Sequence, residues 1–401
     1  MFKKILSLCL AVLMLASLAA SMTSCGSSSD DFKLGVILLH DEASTYDLNF
    51  IEAVNRAKEQ LGLKDSQVIL KRNIGESNDC YEAAADLVDE GCDIIFADSF
   101  GHETYMIKAA KEFPNVQFCH ATGTMAHTEN LPNFHNAFAS IYEGRFLAGV
   151  AAGLKLNEMI SSGKITADKA KMGYVGAFTY AEVISGYTSF YLGAKSVCPS
   201  VTMEVQFTGS WYDEIKEKDA ATALINNNCV LISLHADSMG APSVCEEKNV
   251  PNVSYNGSTV ASCPNTFIVS SKIDWTPYFV YIVNQHKAGE AIAADWTGTL
   301  STGSVVLSDV NTTAAAAGTV EKIEEVKAAL IAGTTRVFDA STFTVGGKAL
   351  TSYIADVDTD ANYEKDTEVI ADGYFHESEY RSAPYFDIQI DGITLLNTNF
   401  G

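Results

Sequence analysis

Apolar positions recur along the chain with two different periods, and each change of period marks the passage from a strand to a helix. The continuous apolar stretch "FKLGVILL" (32–39) predicts a strand in the middle of a parallel sheet. Apolar residues at helical spacing follow from Asn49 to Leu61, and Gly62 ends that helix. Further strands, most of them separated by helices, continue to "NFHNAFAS" (133–140). This order predicts right-handed crossovers and a doubly wound α/β sheet.

The same alternation begins again at residue 141. A helix with Ala and Gly on its close-packing face is predicted over 141–156, and strands and helices then alternate up to "NTFIVSSK" (265–272). Two such runs predict two α/β lobes, with a cleft where the carboxyl ends of their strands face each other. Beyond them we expect a hairpin over 297–310, an amphipathic helix over 320–332 and a small hairpin over 386–396.

The first residues predict export. "MFKKILSLCLAVLMLASLAA" combines two lysines, an apolar run too short to be a convincing membrane span, and small residues, as secretory signals do. Cys25 follows small residues, as in a bacterial lipobox. We therefore predict a lipoprotein signal peptide over 1–24, lipidation of Cys25 and a flexible tether over 25–31. Ordinary signal cleavage near Cys25 is the alternative. Either way we expect the protein on the extracytoplasmic side, and in the lipobox interpretation it is anchored in the cell membrane.

The net charge narrows the range of partners. Removing residues 1–24 removes two lysines and no acidic residue, so the formal net charge changes from −23 to −25. This charge argues against nucleic acid as a partner, because nucleic-acid binding needs a basic surface. An apolar content of 47% over this length is enough for the cores of two domains.

The cysteines and acidic clusters do not predict a metal site. Seven cysteines are left when Cys9 and Cys25 are set aside, and none is in a CxxC pair. We predict that most are buried thiols, with one or two disulfides as the alternative. Acidic residues alternate in "DVDTDANYE" (356–364) as in a calcium loop, but alanine stands where that loop needs glycine. We interpret this stretch as a solvated acidic turn.

Polar and aromatic residues gather in the loops that follow the predicted strands. The alternative for any single loop is a turn or a helix cap, because Asp, Ser and Asn favour both. An aromatic residue beside Asp, Asn or His at almost every strand end instead indicates a pocket for a flat, uncharged ligand such as a purine, which stacks on rings and bonds through its edge. The candidate ligand-binding residues in these loops are Tyr46, Asp47, Phe100, His120, Phe178, Trp211, Asp237 and Asn256.

The stretch "SSKIDWTPYF" (270–279) holds two further candidates, Lys272 and Trp275. In one interpretation, Asp274 caps a helix whose buried aromatic face begins with Trp275. In the interpretation that we favour, Lys272 and Trp275 lie at the cleft, and the residues from Tyr278 onward lie in the core.

Several motifs follow one another along the chain: the lipobox, "YDLNF", "FASIYEGRFLAGVAAG", "KMGYVGAFTYAEVISGYTSFYLGAK", "GSWYDEIKEKDAATALI", "HADSMGAP" and "IVSSKIDWTPYF". In these motifs the chain resembles the basic membrane protein family of lipoproteins, which includes purine-nucleoside-binding proteins of import systems with ATP-binding cassettes. The resemblance implies a periplasmic-binding-protein-like fold of type I, with two lobes, a three-strand hinge and delivery of the ligand to a membrane permease. We accordingly expect an N-terminal lobe over 32–140 plus about 271–310, and a C-terminal lobe with its tail over 141–270 plus about 311–401.

The resemblance also implies roles for single residues. Tyr46 and Asp47 match an aromatic position followed by a polar residue that bonds the ligand, and Phe178 matches a second aromatic residue on the ligand ring. Lys272 matches a lysine that approaches the ribose, and Trp275 matches an aromatic position.

Two departures from the family pattern each remove a carboxylate. Tyr255 and Asn256 replace the aspartate that usually holds the ribose, and His120 stands where an aspartate often follows the fourth strand. Purine nucleoside and free purine base therefore both stay open as the ligand.

We predict a lipid-anchored solute-binding protein that captures a purine nucleoside or base and delivers it to an ABC permease, without a cofactor. A sensor that uses the same fold and signals through a membrane receptor is one alternative. A nucleosidase-type enzyme is the other, and we do not expect it. His235, Asp237 and Ser238 are too close in one loop to face each other as a catalytic triad. The sequence also lacks the GxSxG, HExxH and GxGxxG motifs.

Overall fold

The computed structural model describes residues 32–357, 364–398 and 400. Two α/β lobes form, each built on a mostly parallel sheet. The predicted signal peptide, Cys25 and most of the predicted acidic turn lie outside the described residues. Within the described ranges, no helix combines the length and the apolar character needed to cross a bilayer.

The first lobe contains a parallel sheet with helices on both faces. Its strands are β1 (Leu34–Ile37), β2 (Val68–Lys71), β3 (Ile94–Ala97), β4 (Gln117–Ala121), β5 (Phe134–Ala139) and β11 (Asp295–Gly298). Its helices are α1 (Thr45–Leu61), α2 (Asn78–Asp89), α3 (Glu103–Glu112), the short α4 (Ala126–Glu129) and α9 (Thr276–Ala288). The strand order is β11-β5-β4-β3-β1-β2, and every pairing is parallel.

The second lobe repeats this plan. Its strands are β6 (Lys171–Gly176), β7 (Thr202–Phe207), β8 (Leu231–His235), β9 (Asn252–Tyr255), β10 (Phe267–Ile273), β12 (Val305–Leu307) and β17 (Ile393–Leu395). Its helices are α5 (Ile141–Ser161), α6 (Ala181–Val197), α7 (Glu214–Asn226), α8 (Gly240–Lys248) and α10 (Thr319–Ile331). The order is β12-β10-β9-β8-β6-β7-β17, with only β12 antiparallel to its neighbour.

Short elements complete the structure. Three single turns of 3₁₀ helix cover Asp65–Gln67, Phe100–His102 and Ala167–Lys169. The segment after α10 forms two small antiparallel pairs of strands, which are β13 (Ile354–Ala355) with β14 (Thr367–Glu368), and β15 (Ile370–Ala371) with β16 (Tyr374–Phe375).

The local sequence explains where the elements begin and pack. Ser44 caps α1 by accepting a hydrogen bond from Asp47 N, and Gly62 ends the helix in a left-handed conformation. The predicted small-residue face of α5 brings it against α6. A Cβ atom added at Gly149 or at Gly193 would stand 2.0 Å from a backbone oxygen of the other helix, so only glycine allows this approach.

The chain crosses between the lobes three times. It leaves β5 for α5 at residue 140, leaves β10 for α9 at residue 274, and leaves β11 for β12 between residues 299 and 304. The three crossings are hydrogen-bonded to each other, since Ser140 N donates to Gly298 O at 2.8 Å and Asp274 N donates to Ser304 O at 2.7 Å. The expected inner boundaries near 271 and 310 differ from these positions, because β10 and β12 both pair within the second sheet.

Two expected hairpins are wrong. Over 297–310, β11 and β12 enter different sheets, so this stretch is a crossing and not a hairpin. Over 386–396, β17 pairs in parallel with the distant strand β7 and extends the second sheet by one strand. The helix expected over 320–332 is confirmed as α10. All seven cysteines of the described ranges are buried free thiols.

Candidate ligand-binding site

A pocket lies between the two lobes, and the space between its atoms is about 380 Å³ when its opening to solvent is included. In the first lobe the cavity lies at the carboxyl ends of β1 and β3, where the helix after β1 packs on one face of the sheet and the helix after β3 packs on the other. In the second lobe it lies at the ends of β6 and β8, whose following helices also pack on opposite faces. Such a switch point leaves a crevice at the carboxyl ends of the strands. The lining residues end or follow strands, and they are Leu39, His40, Tyr46, Asp47, Ser99, Phe100, Thr122, Glu182, Trp211, His235, Asp237, Tyr255 and Asn256.

The two lobes touch each other across this cavity. Thr45 donates to Asp237 O from its backbone N at 3.0 Å and from Oγ1 at 3.2 Å. The rings of Phe100 and Tyr180, which come from opposite lobes, have centroids 5.2 Å apart. The structure is therefore a closed arrangement in which residues of both lobes surround the space for a ligand.

Asp47 and Asp98 form an acidic pair on the side of the first lobe. His40 N donates to Asp47 Oδ1 at 2.7 Å, and Leu39 N donates to Asp98 Oδ1 at 3.0 Å. Burial opposes ionisation of Asp47, but hydrogen bonds from His40 and Ser44 outweigh it and lower the pKa of Asp47. Burial, and then the charge of Asp47, raises the pKa of Asp98 well above its ordinary value. The surroundings therefore favour the ionised form of Asp47 and the protonated form of Asp98.

Asp237 is the corresponding carboxyl group of the second lobe. Burial, followed by the charges of Asp47 and Glu217, raises the pKa of Asp237 well above its ordinary value. Asn256 Nδ2 donates to Asp237 Oδ1 at 3.2 Å, from a backbone with φ of 62° that asparagine tolerates better than most residues. Burial therefore favours the protonated form of Asp237, and in that form the carboxyl group would present both an O–H donor and an oxygen acceptor to the cavity.

An aromatic cluster of Phe100, Phe178, Tyr180 and Trp211 lies beside the cavity, and Phe100 and Trp211 are the members that line it. Phe178 and Tyr180 are stacked with centroids 5.2 Å apart at 19°, and Trp211 meets Phe178 edge to face at 5.0 Å. Phe100 extends the cluster from the first lobe, and 37% of its surface is exposed. These rings provide flat apolar faces beside the carboxyl groups.

A buried arginine stands behind the second lobe's side of the cavity. Arg145 is completely buried and donates to Tyr174 Oη at 2.9 Å and to Ser233 Oγ at 3.0 Å. Tyr174 Oη lies 3.3 Å from His235 Nδ1, and His235 Nε2 lies 3.4 Å from Glu182 Oε1. Burial lowers the pKa of His235, so its ring is neutral at pH 7. The positive charge of Arg145 thus lies near the acidic side chain of Glu182, with the neutral side chains of Tyr174 and His235 between them.

Thr122 has a strained backbone at the edge of the cavity. Its φ is 69°, which is rare for a β-branched residue, and its Oγ1 is buried without a hydrogen-bond partner in the described chain. Glu103 fixes the loop that carries Thr122, because its Oε1 accepts from Thr124 N and Met125 N at 2.8 Å each. Strain of this kind persists where the surrounding structure enforces it, often at ligand sites.

The structure brings six of the predicted site residues together around the cavity. The hydroxyl of Tyr46 donates to Asp98 O at 2.6 Å, which fixes its ring at the first lobe's side. The six residues that line the cavity are Tyr46, Asp47, Phe100, Trp211, Asp237 and Asn256.

The other four predicted site residues do not line the cavity. His120 is buried, and its Nε2 lies 2.7 Å from Ser99 O, so it supports the loop before Phe100. Phe178 packs behind Trp211. The side chain of Lys272 points elsewhere, and its Nζ lies 4.0 Å from Glu52 Oε2.

The fourth, Trp275, requires a correction. It is completely buried in the core of the first lobe, where its ring stacks on Phe50, because α9 docks there directly after the crossing. Trp275 therefore lies in the core, as the first interpretation predicted, and the favoured interpretation that placed it at the cleft is wrong.

Sequence reasoning did not select several residues that line the cavity. They are Leu39, His40, Ser99, Thr122, Glu182, His235 and Tyr255. Their only signal was position, since each ends or follows a strand. No group of three or more metal-ligating side chains comes together within 32–357, 364–398 and 400.

Two known proteins are similar to this chain in sequence over about half of its length. Among relatives, a purine-binding protein of Brucella abortus is 33% identical over 222 residues, covering 55% of this chain and 59% of the relative. A putative ABC transporter glucose-binding protein of Haloferax volcanii is 30% identical over 217 residues, covering 54% of this chain and 52% of the relative. The chain thus spans little more than half the length of these relatives.

A solved structure and a family model complete the comparison. An ABC transporter solute-binding protein from Conexibacter woesei superposes with a TM-score of 0.62 at 19% identity, covering 76% of this chain and 98% of that structure. This likeness confirms the predicted periplasmic-binding-protein-like fold. Residues 36–335, which include every residue that lines the cavity, match the family model described as ABC transporter substrate-binding protein PnrA-like. The chain therefore belongs to the PnrA-like family of ABC transporter substrate-binding proteins.

Proposed function

We propose that this protein is an extracytoplasmic, lipid-anchored solute-binding protein that captures a purine base or purine nucleoside between its lobes and delivers it to an ABC permease. The similarity to the purine-binding protein of Brucella abortus supports a purine as the ligand. The residues that would bind it are those of the cavity, with Phe100 and Trp211 on the ring faces and Asp47, Asp237 and Asn256 at the edge.

The observation that carries this proposal is the combination of aromatic rings with two carboxyl groups whose pKa values are shifted in opposite directions. The ionised form, which is favoured at Asp47, accepts from N–H donors, whereas the protonated form, which is favoured at Asp237, both donates and accepts. The edge of a purine alternates N–H donors with ring-nitrogen or carbonyl acceptors, so these groups complement it. A nucleotide is disfavoured, because its phosphate would approach the acidic side chains of Asp47 and Glu182, whereas Arg145 is completely buried behind the cavity.

Calorimetric titration and thermal unfolding test the ligand class. Adenine, guanine, adenosine and guanosine are compared with ribose and glucose on the purified protein. A ligand at about 100 times its Kd should stabilise the protein by about 2.7 kcal/mol. We expect this response from at least one purine, and the base and nucleoside arms identify which form is bound. A response to glucose alone would overturn the purine assignment.

Two further experiments test the cellular role. Substitution of Cys25 by Ala should release the protein from the membrane fraction, and unchanged membrane association would overturn the lipid anchor. Deletion of the gene should lower uptake of the purine that the titration identifies. Unchanged uptake together with a lost transcriptional response to that purine would favour the sensor. Conversion of the purine to a product by the purified protein would revive the nucleosidase.

A further inference from the structure

The last described residues pack along the edge of the second sheet and reach the carboxyl end of β7. Strand β17 pairs with β7, and Leu396 N donates to Val205 O at 2.9 Å. The side chain of Asn397 then continues the ladder by itself. Its Oδ1 accepts from Phe207 N at 2.8 Å, and its Nδ2 donates to Phe207 O at 2.9 Å. Phe207 is thereby held at the position where β7 ends and its loop begins.

Phe400 contacts two loops at once. Its carbonyl oxygen accepts hydrogen bonds from Thr179 N at 2.6 Å and from Thr179 Oγ1 at 2.7 Å. Its ring lies against Gly209, where an added Cβ atom would stand 2.6 Å from Phe400 Cδ1. Gly209 has φ of 70°, so glycine is needed there both for the backbone conformation and for the closeness of the ring.

These two loops carry the aromatic cluster on the second lobe's side. The loop after β6 holds Phe178 and Tyr180 on either side of Thr179, and the loop after β7 holds Trp211 two residues beyond Gly209. The rings of the two loops contact each other, with Tyr180 and Trp211 centroids 6.1 Å apart. A contact that fixes both backbones therefore also holds the ring of Trp211, which lines the cavity, and the rings of Phe178 and Tyr180 that pack against it.

We propose that β17, Leu396, Asn397 and Phe400 form a positioning brace for the ligand site. The brace lies outside residues 36–335, the part of the chain that the family model matches. By holding the loops after β6 and β7 in place before a ligand arrives, the brace reduces the ordering that binding must impose on them. The identity of the ligand in this inference rests on the proposed function, whereas the effect of the brace on the loops does not depend on it.

Asn397→Ala tests the brace, with Thr394→Ala as the matched control. Thr394 is an exposed residue of the same strand, β17, and it pairs with Glu204, three residues before β7 ends. Purine affinity is measured by calorimetry well below the melting temperature, and amide hydrogen exchange is followed over 177–181 and 208–212. We expect Asn397→Ala to weaken binding about tenfold and to speed exchange in these two segments, because flexible loops must be ordered on binding. The first-lobe loop at 122–126 should exchange as before, and Thr394→Ala should change nothing.

A second pair of variants tests the other contact. Thr179→Val removes the hydroxyl that donates to Phe400 O, whereas Thr179→Ser retains it. We expect faster loop exchange and weaker binding only in the valine variant, and the same changes, more strongly, in a chain shortened after Leu396. Unchanged affinity and unchanged loop exchange in the shortened chain would overturn the brace. A lower melting temperature with uniformly faster exchange and unchanged affinity would also overturn it, because that pattern describes general stabilisation.

This experiment distinguishes a failure of the proposed function from a failure of the brace. If the parent protein binds no purine, the proposed function fails, while hydrogen exchange still decides whether the brace orders the loops. If the parent binds purine and the shortened chain shows the same affinity and the same loop exchange, only the brace fails.

Discussion

The indole ring of Trp275 stacks on the ring of Phe50, with centroids 4.6 Å apart and an interplanar angle of 24°. Phe50 lies in α1, and Trp275 immediately precedes α9, the helix that returns from the second lobe. Phe96 and Phe138 pack around the same indole, with centroids 6.1 and 6.3 Å away. The stack therefore fastens the second crossing to the core of the first lobe.

Trp275→Ala is expected to destabilise the protein strongly. Removing a fully buried indole loses its apolar burial and leaves a cavity, which together cost about 3 to 5 kcal/mol. The measurement is the free energy of unfolding in urea. Trp275→Phe should cost less, because it retains a ring against Phe50. Purine affinity of the folded Trp275→Ala protein should match the parent, and a loss of affinity without a loss of stability would return this residue to the ligand site.

Trp211→Ala is expected to give the opposite result. Its ring lines the cavity, and base–aromatic stacking is worth about 1 to 3 kcal/mol by alanine substitution. Purine binding measured by calorimetry should weaken by this amount, with little change in stability. Trp296→Ala is the control, because Trp296 is half-buried against Tyr278 and does not line the cavity. Equal effects of the two substitutions on affinity would contradict the site.

The contrast between Trp275 and Trp211 shows what the pattern of residues can predict. Period and length predict strands, helices and strand ends, and therefore the loops that surround a cleft. They do not predict the direction of each side chain, which depends on contacts from distant parts of the chain. Trp275 follows a strand end just as Trp211 does, yet α9 turns it into the core. Lys272 turns toward Glu52 of α1 for a similar reason.

The hairpin predicted over 386–396 is wrong for the same reason, because the partner of a strand also depends on distant parts of the chain. Adjacent short apolar stretches predict local pairing, but β17 pairs with β7, nearly two hundred residues earlier. Nothing in the sequence near Ile393 identifies that partner. The strained backbone of Thr122 is also invisible in sequence, because threonine gives no sign of a positive φ.

Thr122→Gly is expected to separate stability from binding. Glycine adopts a φ of 69° without strain, which offsets the flexibility that glycine adds to the unfolded chain, so stability should change by less than about 1 kcal/mol. Loss of the hydroxyl should weaken purine binding by about 0.5 to 1.5 kcal/mol, the usual contribution of one hydrogen bond. Thr122→Ser is the control that retains the hydroxyl, and it should bind like the parent. If glycine lowers stability strongly and leaves affinity unchanged, Thr122 has a structural role alone.

Glu217→Gln is expected to change how stability depends on pH. Glu217 is completely buried in α7, and its Oε1 accepts from Asp213 N at 3.2 Å and from Ser238 N at 3.3 Å. Burial raises its pKa from 4.5 to about 7. The folded state thus binds this proton more tightly than the unfolded state, and the resulting stability is fully present below pH 4.5. It is lost as the pH rises through 7.

The free energy of unfolding, measured in urea from pH 4.5 to pH 8, should fall more steeply for the parent than for Glu217→Gln. The expected difference is about 1 to 3 kcal/mol, since one pKa unit corresponds to about 1.4 kcal/mol. Glutamine retains the acceptor oxygen for both backbone donors, and the other titrating groups are common to the two proteins, so their contributions largely cancel. Parallel curves over this interval would mean that Glu217 ionises in the folded protein as readily as in the unfolded chain. Glu217 would then already be ionised at pH 5, and its negative charge would act on Asp237, which precedes Ser238, whose N–H donates to Glu217.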